Sequence, residues 1–402
     1  MTDAISTGAF VRRAFSEPLP PPPSERGALG WVRANLFGGP LSAALTILSV
    51  ALLVWMTPGL VRWLLIDAVW SAPDGDACRQ AGTGACWAYV RAKLLFFTYG
   101  SYPRDMLWRV DLTLLIGAAL AVWLLWPDAK RKGLGLFLFL VVYPYVGVML
   151  LHGMGDVTRG LLASVARLTG SQSLADMAAN ALPVVGTHLW GGIFVSLLVA
   201  TVGIVVSLPL GVALALGRQS KAPVVRFFCI VLIEVVRGVP LITVLFMANT
   251  MLPLFVPANW TPDRLLRPLI GVALFASVYM AEVVRGGLAA VPRGQYEGAM
   301  ALGLSHWRMM RLIVLPQALT VVIPGIVNSF IALFKDTTLV AIVGIFDFLR
   351  AVDTQRLDPT WTGPTISTTG YVFAAAFYFV FCFGMSRYSL MMERRLSYGR
   401  KH

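Results

Sequence analysis

One pentapeptide, Glu-Val-Val-Arg-Gly, stands twice in this chain, at 234–238 and 282–286, each time inside an apolar stretch. Glu and Arg three apart share a helix face and can pair. Charges at membrane depth are expensive, and they turn inward or find partners. Glu234, Arg237, Glu282 and Arg285 therefore make a candidate lattice near an inner gate. Its sharp form is cross-pairing, Glu234 with Arg285 and Glu282 with Arg237; its plain form is two local pairs. Asp336, beside Lys335 in another apolar run, is a further ionisable candidate, followed by Thr337. Asn249, Thr250, Ser277, Tyr279, Asn328 and Ser329 are polar groups on which a solute path would draw. Hydroxyls and amides in membrane helices more commonly bond their own backbone or a neighbouring helix.

Reaction chemistry has little to work with. The chain lacks a Gly-x-x-x-x-Gly-Lys-Ser/Thr phosphate loop, so it is not expected to hydrolyse a nucleotide by itself. His152, His188, His306 and His402 are too scattered for a metal site, and no Ser-His-Asp or paired-carboxylate arrangement can be argued. No catalytic residue, cofactor or metal is expected. Cys78 and Cys86 can form a disulfide on an oxidising face, with two free thiols as the alternative. Cys229 and Cys382, in apolar spans, read as small packing residues.

Between two apolar runs lies a polar stretch, Gln295 to Pro316. It carries Glu297, the small pair Gly298 and Ala299, Gly303 four residues on, and then Ile313, Leu315 and Pro316. Small residues let a partner surface come close. Gly303 can take the backbone angles of a tight turn, and Pro316 suits the first turn of the next helix. This spacing resembles the EAA loop of ATP-binding-cassette (ABC) importer permeases, with Gly298 where that family usually has Ala. Glu234-Val-Val-Arg237-Gly238-Val-Pro240, Tyr279-Met-Ala-Glu282-Val-Val-Arg285-Gly286 and Lys335-Asp336-Thr337-Thr338 are similar to runs in the polar amino-acid branch of that family. The long N-terminal part looks like that of the general L-amino-acid importers.

The resemblance implies a permease moving polar L-amino acids through the bacterial inner membrane. It also implies a separate ATPase dimer docking on the loop, a second permease subunit, most simply in a heterodimer, and a periplasmic amino-acid-binding protein. An ion-coupled secondary transporter and a transport-inactive scaffold or sensor are the alternatives.

Composition supplies the body that must position these groups. The chain is 57% hydrophobic and 13% charged, an all-α integral membrane composition surrounded by lipid. About eight runs reach the roughly 20 residues a bilayer core demands. They lie near 41–57, 111–126, 134–152, 191–216, 227–256, 269–290, 317–336 and 371–387, the last five forming a permease core. The net charge of +13 is spread in short clusters between these runs, which reads as orientation signalling and not as a nucleic-acid surface. Lys and Arg are denser on the side of both termini and of 295–316, which predicts that side to be cytoplasmic.

Four regions follow: a Pro-rich disordered tail over 1–40, a three-span extension with external loops over 41–190, the core over 191–390, and a basic tail over 391–402. The first span is expected to be an uncleaved anchor. An amphipathic helix is expected around Val157–Leu168, in an external connection.

Overall fold

The computed structural model describes residues 27–80, 82–173, 182–257 and 262–398. Residues 1–26 of the expected 1–40 tail and residues 399–402 of the basic tail lie outside the described residues. Nearly all the rest is helical, as membrane depth requires, since a helix satisfies its own backbone where no water can. Two compact units result, divided between Ala68 and Val69.

In the first unit, the part of the expected disordered tail after residue 26 is instead a helix, α1 (Gly27–Leu36), and it precedes α2 (Pro40–Ile66), which is long and apolar enough to span. Pro40 opens α2 where a missing N–H matters least. No residue of α2 is buried.

The second unit begins at Val69. Val69 pairs with Cys86, Cys78 and Cys86 are joined by a disulfide, and α3 (Trp87–Tyr99) follows. A helical hairpin comes next, α4 (Arg104–Leu125) and α5 (Lys132–His152), then α6 (Asp156–Thr169), covering the segment where an amphipathic helix is expected. The rest comprises α7 (Gly192–Arg218), α8 (Pro223–Arg237), α9 (Leu241–Phe255) and α10 (Leu266–Ala290). After these come α11 (Arg293–Ala301), α12 (residues 306–321), α13 (Ile323–Val343), α14 (Phe348–Gln355) and α15 (Ile366–Arg395). Seven of these helices can cross a membrane by length and composition.

The run at 227–256, expected as one span, is two helices meeting at 109°. Gly238 ends α8, its N–H bonding Glu234 O at 3.0 Å, and Pro240 caps α9. Proline removes a donor and disfavours helix in Val239 before it, so the chain turns there. Average hydropathy does not register such a break.

The centre of the unit is the crossing of α7 and α10. Gly211 permits it: a Cβ there would sit 2.7 Å from Met280 Cβ and 3.0 Å from Ser277 O. Small residues allow this approach where helices associate by packing and not by a hydrophobic drive. A cluster of Leu214, Ile233, Val284, Leu288, Met310 and Val314 ties α7, α8 and α10 to α12. At the opposite end Tyr89, Phe97, Phe348, Trp361 and Ile366 join α3 to α14 and α15.

Candidate coupling site

α10 carries Glu282 and Arg285 and leads within a few residues into α11. The turn after α11 is a hydrogen-bonded reversal: Gly303 N–H bonds Met300 O at 2.9 Å and Leu304 N–H bonds Ala299 O at 3.1 Å. Both bonds belong to the Schellman helix end, which requires a left-handed residue. Gly303 is that residue, at φ +70°. Ser305 then starts α12 from an extended conformation.

Glu297 and Gly298 are exposed, and nothing lies within 4 Å of a Cβ added at Gly298. Met300, Leu302 and Trp307 are exposed beside them, with Trp307 at 74%. Ala299 differs from expectation: it is buried among Met309, Met310 and Leu288. Of the small pair, one residue faces outward and the other seats the loop on the body. Ile313 and Leu315 are half-buried against the same cluster.

Pro316 stands in the first turn of the helical piece Leu315–Val321 of α12, as expected, just after a wide turn over Met310–Val314 in which Leu315 N–H bonds Met310 O. The widened turn accommodates a proline within a continuing helical run. The long apolar helix α13 starts only at Ile323, with Pro324 in its first turn.

The charged groups meet, in a different pattern from the cross-pairing expectation. Glu282 accepts from Arg218 Nη1 at 2.7 Å and from Arg285 Nε at 2.9 Å, and Arg237 Nη1 stands 3.6 Å away. Arg218 Nη2 also reaches Glu234 at 3.0 Å. Glu282 thus pairs with Arg237 across helices, whereas Glu234 pairs with Arg218 and not with Arg285. Arg218, the last residue of α7, bridges both carboxylates and connects α7, α8 and α10 through charge-assisted bonds. Its only sequence signal was its place at the end of a span, where Arg ordinarily reads as an orientation charge. Arg237 also lies over the Tyr279 ring, 5.8 Å from its centroid.

The other path candidates are dispersed. Ser277, Thr250, Ser329 and Thr337 donate to Ala273 O, Phe246 O, Gly325 O and Phe334 O, one turn back in their own helices. Asn249 O accepts from Arg267 at 3.3 Å. Asn328 is exposed and Asp336 half-buried.

A second polar centre, absent from the expectations, sits at the other end of the core. Asp347 is fully buried and caps α14, accepting from Leu349 N at 3.0 Å and Arg350 N at 3.2 Å. Ser196 Oγ accepts from Phe348 N at 2.9 Å. Burial pushes the Asp347 carboxyl up to about 7, against the opposing pull of its backbone donors.

Spanning helices joined by an exposed two-helix loop define a polytopic membrane protein. The family described as binding-protein-dependent transport system inner membrane component matches residues 207–398. The inner membrane amino-acid ABC transporter permease protein YhdY of Escherichia coli K12 is 44% identical over 384 residues, covering 95% of this chain and 97% of that protein. The glutamate/glutamine/aspartate/asparagine transport system permease protein BztC of Rhodobacter capsulatus is 42% identical over 432 residues, covering 98% and 99%. A crystal structure of an amino acid ABC transporter with histidines has 28% identity and a TM-score of 0.45, covering 51% of this chain and 92% of that one. The chain belongs to the amino-acid permeases of ABC importers: it is a multi-pass inner-membrane transport subunit, and its family implies an ATPase partner.

Proposed function

We propose that this chain passes polar L-amino acids inward, driven by an ATPase dimer that docks on residues 295–316. The turn at Gly303 carries the proposal. It presents Glu297, Gly298 and Trp307 outward while Ala299 and Met309 anchor the loop to the helix body. A partner that moves this loop moves α10 and α12 with it. The Arg218–Glu282 lattice, on α7, α8 and α10, then opens or closes the inner end of the path.

In this reading both termini and the loop are cytoplasmic, consistent with the Lys and Arg bias. A second permease subunit completes the pathway, and a periplasmic binding protein delivers the solute. Acidic and amide amino acids are the first substrates to test, because BztC is named for them.

Liposomes holding this chain with its ATPase and second permease test the proposal when supplied with binding protein and labelled glutamate, glutamine, aspartate or asparagine. Uptake should require enclosed ATP. Uptake driven by an ion gradient without ATP would contradict it.

A further inference from the structure

A cavity of about 600 Å³ separates the α4–α5 hairpin from α7, and nothing in the transport reading uses it. Phe139, Tyr143 and Gly147 line one wall, and Leu198, Val202 and Val206 the other. The hairpin meets the rest of the unit at its two ends. At one end Tyr102, Val110 and Leu151 pack with Trp190 and Phe194. At the other, Tyr388 Oη donates to Leu125 O at 3.0 Å and Arg395 stands 3.4 Å from Asp128. Between these joints the walls part.

The wall of α7 from Phe194 to Val206 is about 18 Å long at 1.5 Å per residue. That is close to the hydrocarbon depth of one leaflet, half of roughly 30 Å. A cleft so lined gains nothing from water, and left empty it forfeits its dispersion contacts. One mouth is different. His152, Thr187, Trp190 and Asp263 gather there, with Thr187 Oγ1 donating to Asp263 at 2.9 Å. Trp190 is 6% exposed, and its indole N–H has no acceptor among the described residues. Buried donors are ordinarily satisfied.

We propose that the cavity holds one acyl chain of a membrane glycerophospholipid, with an ester carbonyl accepting the Trp190 N–H. The bound lipid seats the N-terminal hairpin on the transport core. An apolar slot with an acceptor-seeking donor and polar groups at a single end fits an amphiphile, and in a membrane the abundant amphiphile is phospholipid.

Native mass spectrometry of the complete transporter, delipidated in detergent and then given phosphatidylglycerol or palmitate, tests this. Wild type should hold one phosphatidylglycerol per copy of this chain through detergent exchange. Gly147→Phe fills the slot, since a Cβ there meets only Thr113 at 3.6 Å, and Val202→Trp fills it from the facing wall. Each should lower retention at least about tenfold by occupying the space of the chain. Trp190→Phe keeps the ring and removes the donor, and should weaken retention about fivefold, the worth of one net hydrogen bond. Leu115→Trp, on an exposed face of α4, should change nothing. Equal retention by all five proteins, retention of palmitate alone, or no lipid held by wild type would overturn the proposal.

Discussion

Two carboxylates deep in this molecule are kept in opposite ways. Glu282, with its side chain 16% exposed, stays among three guanidinium groups from three helices. Asp347, fully buried, is met by backbone donors, and burial lifts its carboxyl toward neutral pH. Long arginine side chains can exchange partners as helices move, so a lattice of them suits a moving part. A short carboxylate locked onto a helix N-terminus suits a fixed one. In the proposed mechanism the end carrying the loop is the part that rearranges and the Asp347 end the part that stays fixed.

The rigid end gains further staples from the N-terminal region. Cys86 N–H bonds Thr369 Oγ1 at 2.9 Å, Lys93 pairs with Asp358, and Arg79 reaches Thr362 O at 2.7 Å and Pro359 O at 3.0 Å. The Lys93 ammonium holds the Asp358 carboxyl below its usual range. Residues 69–99 are therefore built into the same unit as the core, although nothing in their sequence marks them as part of a transport body.

The largest contrast should come from removing each carboxylate's charge. Glu282→Gln leaves Arg218, Arg237 and Arg285 facing one another, and uptake should fall below about a tenth of wild type. Stability should drop by about 1–3 kcal/mol, less than for a fully buried pair because solvent reaches the lattice. Uptake assays beside thermal unfolding of the purified protein check both values.

Asp347→Asn should act through pH. Below about pH 4 the group is protonated in both folded and unfolded chains and adds nothing. Between pH 4 and about 7 the unfolded chain gives up the proton that the folded one keeps, so stability falls as pH rises. Across that window the wild type should lose a few kcal/mol relative to the Asn variant, which cannot titrate. Melting curves at pH 4.5 and 7.5 would show the two proteins diverging; parallel curves would mean Asp347 stays ionised.

Removing the disulfide with Cys78→Ala and Cys86→Ala should lower stability by about 2–3 kcal/mol, as opening a short loop does. Its effect on ATP-driven uptake at low temperature should be small, because the lesion lies at the rigid end. The finest test is a pair of double-mutant cycles to alanine. Arg218 and Glu234 should couple by about 0.2–1 kcal/mol, the range of a half-exposed ion pair. Glu234 and Arg285 should show no coupling.

That last pair marks where the sequence stops being readable. Helices announce themselves by apolar runs, and the loop by Glu297, Gly303 and its polar setting. Glu234 and Arg285 look like partners because one pentapeptide occurs twice. Which guanidinium reaches which carboxylate depends instead on the crossing at Gly211, which brings the end of α7 between α8 and α10. The bend at Val239 was signalled by Gly238 and Pro240, yet a window of average hydropathy passes over it. Asp347 gave no signal, because Ser196 and Phe348 meet beside it across 152 positions of chain. The joins of Cys86 to Thr369 and Lys93 to Asp358 span longer separations still. Pairings at that range follow from packing, and local pattern does not contain them.

The most direct measurement concerns Gly303. At φ +70° its conformation is open to Gly, tolerable for Asn and strained for a β-branched residue by about 1–3 kcal/mol. No neighbour lies within 4 Å of its Cβ position, so a larger side chain clashes with nothing and only the turn is disturbed. Gly303→Val and Gly303→Asn should insert into the membrane like wild type. Co-purification of the ATPase should be nearly normal for Asn and largely lost for Val, and amino-acid uptake should follow it. A Val variant that inserts, retains its ATPase and transports at the wild-type rate would contradict the docking role assigned to this loop.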